Sequence, residues 1–360
     1  MFVIAVAQLA HLIVEEPEMS SVWIALGLFF VLWCTWVGFA VLYNRYGADK
    51  PAYRLLFLAG SVPVGVAAVA IEPASTGDSA VFAGALAATR LVLAGAHAIS
   101  GEGRVQRALL ASAALFALSI VVPAPFRYVL WAIAISVESG ATLVEDRAAA
   151  RRARHERDLQ LLAPADPADA VDAHHFAERF GLFLIILLGE VLVEAGQAPA
   201  ETTAEWAALV AAMILAAGLW WLYFDAAADL NLRVLELSGG SPTMARAIFA
   251  VGHMLPAFSL LLMAAGVGLL LEGEPPRSAY WLPSLGLGIY LLSTRVFMMA
   301  TSRVSGFVRV LIIVATFMLG RLHSVLSPHE YVWLLAAWVV VCAALTSHNP
   351  RLERFLGVRE

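Results

Sequence analysis

Residues 174–190 read HHFAERFGLFLIILLGE. A polar head carrying Glu178 and Arg179 runs into ten uncharged residues, Phe180 to Gly189, and then meets a carboxylate, Glu190. A helix rises about 1.5 Å per residue, which places Glu190 roughly 16 Å along the axis from Arg179. If Arg179 marks a membrane surface, that distance reaches the middle of a hydrocarbon core about 30 Å thick. An ionisable group at such a depth is expensive to bury and is read first as functional.

The rest of the chain fits that setting. Its 360 residues are 61% hydrophobic and only 14% charged, with a mean hydropathy of +0.80. A soluble domain carries nearer a quarter charged residues, so the fold class is all-α, a polytopic transmembrane bundle. The net charge of −5 says little, because the charges segregate by side. Cys34 and Cys342 fall in apolar runs and suggest neither a disulfide framework nor a metal knuckle. No phosphate-cradling loop, nucleophile elbow or paired zinc ligands occur, so no cofactor, metal or nucleic-acid partner is implied and the chain is not read as an enzyme. Gly286 and Gly288 lie within an apolar run and read as helix packing.

Apolar runs broken by turns and charges give twelve spans, at about 1–14, 21–43, 53–71, 79–100, 105–122, 126–145, 179–197, 204–225, 243–271, 278–300, 304–325 and 329–346. The connections alternate in sign. One side collects Arg45, Lys50 and Arg54, then Arg104 and Arg107, the run Arg147 to Arg157, Arg233 and Arg246, Arg303 and Arg309, and the tail arginines Arg351, Arg354 and Arg359. The other collects Glu15, Glu16 and Glu18, then Glu72 and Asp78, Glu194, Glu201 and Glu205, and Glu272 and Glu274, with Arg127, Arg277 and Arg321 as its only bases. The positive-inside rule puts both termini in the cytoplasm. The first run reaches only about 21 Å and lacks a basic leader, so it reads as a shortened helix or a misplaced start rather than a signal peptide.

The connection 146–178 divides the chain into a first six-helix repeat (1–145), a basic linker with an interfacial helix (146–178), a second six-helix repeat (179–346) and a tail (347–360). Trp23, Trp33 and Trp36 match Trp206, Trp220 and Trp221 in order, Pro63 matches Pro256, and the Thr-Arg pair at Arg90 matches that at Arg295. Six spans per half is an even number, so a parallel 6+6 repeat about an axis along the membrane normal is expected.

Four ionisable residues count to mid-depth on four different spans: Arg90, Glu138, Glu190 and His253. They either pair as buried glue between helices or line an ion pathway. Glu190 is expected to point into the bundle and to lie within hydrogen-bond reach, directly or through water, of a polar side chain of another helix. His253 precedes Pro256, which frees the carbonyl of Gly252 and kinks its helix. Arg295 sits shallower. Asp225 closes the eighth span beside Trp220, Trp221 and Tyr223, which read as an interfacial belt. His174, His175 and Glu178 share a helix face but lack a third metal ligand and read as interfacial packing.

The 174–190 stretch resembles the signature of the bacterial low temperature requirement A (LtrA) family. FVIAVAQLAHLI at the start, WCTWVGFAVLYNRY at 33–46 and GHMLP at 252–256 extend the resemblance over nearly the whole chain. By that motif the family's polar positions fall on His175, Glu178, Arg179 and Glu190. Family members carry an acidic-aromatic stretch ahead of the segment that begins here at Met1, so no role for that acid is carried over. The resemblance implies a multi-pass inner-membrane protein linked to growth in the cold, with no settled activity. Three functions follow. The first is an ion- or proton-coupled transporter or channel for a small ion or molecule. The second is a sensor or scaffold responding to the state of the membrane lipids. The third, ranked last, is a lipid-modifying enzyme. The oligomeric state is left open.

Overall fold

The computed structural model describes residues 2–46, 51–143, 158–164, 166, 169–198, 201–225, 227–294 and 304–346. Among these residues every regular element is helical. The main helices are α1 (Phe2–Glu15), α2 (Met19–Tyr46), α3 (Pro51–Val69), α4 (Ala80–Ile99), α5 (Gly103–Ser119), α6 (Phe126–Leu143), α7 (Ala173–Gln197), α8 (Thr203–Phe224), α9 (Ala227–Leu237), α10 (Met254–Leu271), α11 (Arg277–Ser293), α12 (Gly306–Met318) and α13 (Pro328–Thr346). Among the described residues, each of the twelve apolar runs is helical over most of its length. The segments Met19–Tyr46, Pro51–Val69, Ala80–Ile99, Thr203–Leu237, Pro242–Leu271, Gly306–Ser324 and Pro328–Thr346 are long and apolar enough to cross a membrane, seven in all among the described residues. α7, interrupted by Glu190 and Glu194, is not one of them. Arg295, the linker arginines Arg147 to Arg157 and the tail 347–360 lie outside the described residues.

The chain divides into two compact units. The first comprises residues 1–9, 24–176 and 235–250. In it α3, α4, α5 and α6 pack in chain order. The segment after the linker is pinned here by Gly240. Val171 donates its amide to the Gly240 carbonyl at 2.9 Å, and a Cβ on Gly240 would sit 2.7 Å from the Val171 carbonyl oxygen. With φ at +68° as well, only glycine fits this approach.

The second unit comprises residues 10–23, 177–234 and 251–360. Here α10 packs on α11, α8 on α13 and α11 on α12. α8 and α13 start on reciprocal caps. Thr202 accepts from the amide of Glu205 while the Glu205 carboxylate accepts from the amide of Thr202, and Ser327 and Glu330 repeat the arrangement. Each satisfies helix-end amides that would otherwise lack partners. α10 is buried nearly along its whole length, as an all-apolar helix must be when surrounded by protein. A Cβ on Gly286 would meet the Ser259 carbonyl oxygen at 2.6 Å, so the glycine of α11 lets the two backbones touch, which is the packing role expected of it.

The kink expected at Pro256 is longer than a single proline break. Residues Arg246–Val251 form a π-helical turn before α10 begins at Met254. The Ala250 carbonyl of this turn accepts from the Trp33 indole N–H at 2.7 Å. The widened turn thus has a protein partner, which is how irregular backbone is tolerated away from water.

Candidate functional site

α7 presents two faces within the second unit. Leu182, Ile185, Ile186 and Val193 are exposed, whereas Phe180, Leu184, Leu187, Val191 and the two carboxylates Glu190 and Glu194 are buried. Glu190 is 5% exposed and Glu194 6%. Spacing of four puts them one above the other on the buried stripe, about 6 Å apart along the axis. Among the described residues neither carboxylate receives a hydrogen bond, and Oε1 of Glu190 is fully enclosed without a partner. Glu190 points inward, as expected, and among the described residues no polar side chain of another helix bonds to it directly. Glu194, of the same sign, feels Glu190 and, beyond it, Glu272 at the end of α10 and His11 of α1. Glu194 lies tight against α10, since a Cβ on Gly268 would be 3.0 Å from its Oε2.

His253 does not join this pair. Its Nε2 meets the Tyr223 hydroxyl at 2.6 Å, and Phe180 packs edge-on to its ring at 5.4 Å between centroids. Phe180 precedes Glu190 by ten residues, about 15 Å of helix. The intervening buried positions Leu184 and Leu187 are apolar. Tyr223 is accordingly buried, not part of an interfacial belt; only Trp220 and Trp221 face outward, with Asp225 capping α8 behind them. A cavity of about 110 Å³, lined by Ala195, Gly196, Glu205, Trp206, Leu271 and His329, opens at the Glu194 end of α7. A wider depression of about 450 Å³ lies between Glu274, Arg277, Tyr280 and His323.

Arg90 and Glu138 do pair, within the first unit. Arg90 is fully buried on α4. Its Nε donates to Glu138 Oε1 of α6 at 2.9 Å and its Nη1 to Thr35 Oγ1 of α2 at 2.8 Å. The guanidinium lies 4.7 Å over the Phe116 ring of α5, and Ser112 of α5 donates to the same Glu138 oxygen. Four helices thus converge on one cation. Nη2 has no partner among the described residues. This is the geometry of a buried ion pair joining helices. His174 and His175 separate: His174 Nε2 meets Glu236 at 3.1 Å, and His175 stacks on Tyr43. Glu178 is exposed and Arg179 half-buried. No group of three His, Cys, Asp or Glu able to hold a metal occurs among the described residues.

These features sit on a chain whose residues 1–346 match the model of the bacterial low temperature requirement A protein (LtrA). The chain belongs to the LtrA family. An uncharacterized protein of Rhizobium meliloti is 25% identical over 279 residues, covering 74% of this chain and 66% of that relative, just under two thirds of its length. No solved structure matches. Family membership and the apolar helices together mark this LtrA chain as a membrane protein.

One cluster in this LtrA protein escaped sequence reasoning. Glu102, at the turn between α4 and α5, accepts from Arg45 Nη1 at 2.5 Å, from the Tyr46 hydroxyl at 2.5 Å and from His97 Nδ1 at 2.7 Å. Arg45 Nη2 reaches on to Asp169 at 2.8 Å, while Asn44 exchanges two hydrogen bonds with the Asp172 backbone. The end of α2 is thereby tied to the segment that leads into α7. The available signal was that Glu102 is the lone acid in a connection otherwise basic at Arg104 and Arg107. Burial opposes ionisation of Glu102, but the hydrogen bonds from His97 and Tyr46 and the Arg45 charge outweigh it and hold the carboxyl at about 2, below its ordinary 4.5. A depressed carboxylate contributes stability that is complete above its unfolded value and is lost as pH falls towards its folded value. Glu102→Gln is therefore expected to lower stability by about 1–2 kcal/mol at neutral pH, discounted for partial exposure. It should also flatten the acid limb of melting temperature against pH between 4.5 and about 2. An unchanged acid limb, measured by thermal unfolding in detergent, would remove the latch.

Proposed function

We propose that this protein is an ion-coupled transporter or channel, and that Glu190 on α7 is its central ion site. The observation that carries the reading is a carboxylate 5% exposed, with an enclosed oxygen lacking a partner among the described residues, one turn from a second buried carboxylate. A structural acid is retained with a partner, because an unpaired buried charge is strongly destabilising. An acid kept without one is explained by a partner that comes and goes. Arg90 and Glu138 serve as the anchor of the first unit, and His253 with Tyr223 as a separate polar level below the site.

The wider architecture proposed is a twelve-span inner-membrane bundle with both termini cytoplasmic and a parallel six-plus-six repeat, supported by the alternation of charge and the ordered Trp, Pro and Thr-Arg matches. The link to growth in the cold comes with the family name alone. The second reading, a sensor of membrane state acting without transport, is favoured by the broad exposed apolar face of α7 at Leu182, Ile185, Ile186 and Val193. Catalysis is not proposed.

The test is purified protein in liposomes, with flux followed across a panel of monovalent cations, anions and protons. Flux in the parent and its loss in Glu190→Gln, with folding judged by a monodisperse size-exclusion profile, is the expected result. No flux of any species, with the protein inserted and folded, would leave the sensor reading in its place.

A further inference from the structure

We propose, resting on the ion-site reading above, that the ion is the proton, and that Glu190 and Glu194 form a two-carboxylate relay opening to the surface at Glu272 and His11. Four observations lead there. Glu190 has an enclosed oxygen without a partner among the described residues, so it is a terminus that something small must reach. Glu194 lies one turn further along the same buried stripe. Beyond Glu194 the charged groups it feels are Glu272, exposed at the end of α10, and His11, itself 3.1 Å from Glu15 and well exposed on α1. Finally, the contact between Glu194 and Gly268 leaves α7 and α10 in touch at that level.

The choice of proton over metal cation follows from ligand supply. A dehydrated divalent cation such as calcium takes six to eight oxygens, and magnesium keeps near-octahedral coordination. Among the described residues no three His, Cys, Asp or Glu cluster for a metal. The Gly268 carbonyl is already taken by the amide of Glu272 at 3.1 Å. A proton needs one oxygen at a time. In the relay the O–H bond on protonated Glu190 breaks as one forms on the Glu194 carboxylate, directly or through one water, leaving Glu190 ionised and Glu194 neutral. Glu194 then releases its proton towards Glu272, His11 and solvent.

Gly268 supplies a control on geometry. A methyl there meets Glu194 Oε2 at 3.0 Å and its Cβ at 3.2 Å, so the carboxylate must shift by a few tenths of an ångström while helix propensity improves.

The experiment uses full-length protein in liposomes with an entrapped pH dye, a potassium gradient and valinomycin to set the potential. Infrared difference spectra of the same samples, recorded on a pH jump, follow the carbonyl stretch of protonated carboxyls. Proton uptake that falls at least tenfold in Glu190→Gln and in Glu194→Gln, falls several-fold in Gly268→Ala, and is partly kept in Glu194→Asp is the expected outcome. Each Gln variant should also remove intensity from the carboxyl band. If Glu190-dependent flux of sodium or potassium appears without proton movement, the proton is excluded and the transport reading survives. If no ion moves and the carboxyl band is the same in parent and Gln variants, both fail. Normal proton flux in Glu194→Gln overturns the relay alone.

Discussion

Glu138→Leu is expected to destabilise the first unit by about 3–5 kcal/mol, the range for removing one partner of a buried ion pair. Arg90 is fully buried and already leaves Nη2 without a partner. Without Glu138, its Nε would lose its acceptor too, and Ser112 would lose the oxygen it donates to. What remains is one hydrogen bond to Thr35 and the Phe116 face, the latter worth about 2 kcal/mol when desolvated. Four helices meet at this cation, so the loss should appear as cooperative melting at lower temperature and reduced yield, not as local fraying. Glu138→Gln keeps an acceptor for Nε and removes the charge, and its loss should be smaller. The decisive comparison is Arg90→Met combined with Glu138→Leu. If the pair is glue, the double variant regains most of the stability lost by the single one, because no uncompensated charge is left. If the double variant is as unstable as Glu138→Leu, the cost lies in packing and the ion pair is incidental. A double variant that is stable but inactive in the flux assay would return Arg90 and Glu138 to the ion pathway.

The sequence made some of this plain and hid the rest for identifiable reasons. The helices were legible because a bilayer-compatible run of apolar residues is a long signal, and its ends were marked by charge. Burial of Glu190 and Arg90 was legible because a charge within such a run must face protein. Which charges meet was not legible. Counting depth along each span put Arg90, Glu138, Glu190 and His253 at one level, yet depth is a single coordinate and pairing depends on rotation about each helix and on which helices adjoin. Arg90 found Glu138 through the order in which α4, α5 and α6 pack. His253 found Tyr223, a residue whose aromatic neighbours disguised it as part of a surface belt. Glu194 was noted as sharing a face with Glu190, but its contact with Gly268 depends on α10 lying alongside, which periodicity within α7 does not encode. The Glu102 cluster was hidden because a loop acid among arginines looks like ordinary surface charge until Arg45, Tyr46 and His97 converge on it.

Glu190→Leu is expected to raise stability while abolishing ion movement, the opposite of what a structural acid would do. The side chains are similar in volume, and the buried stripe around position 190 is already supplied by Leu187 and Val191. Glu190 makes no hydrogen bond among the described residues, so its removal breaks none and leaves no other group unsatisfied. Replacing a buried, unsatisfied polar group with an apolar one should recover a desolvation penalty of about 1–3 kcal/mol. It also removes the like-charge neighbour of Glu194. The expected reading is a higher melting temperature in detergent for Glu190→Leu than for the parent, with flux at the level of empty liposomes. Glu138→Leu on the same instrument should move the other way, so the two substitutions separate an acid that holds the fold from an acid the fold tolerates for use. A lower melting temperature in Glu190→Leu would mean that the carboxylate has a stabilising partner in the folded protein, and the ion-site reading of α7 would fall with it. The physical content of the prediction is that this chain carries a destabilising carboxylate at a position where leucine fits, the trade-off between stability and use that binding sites make.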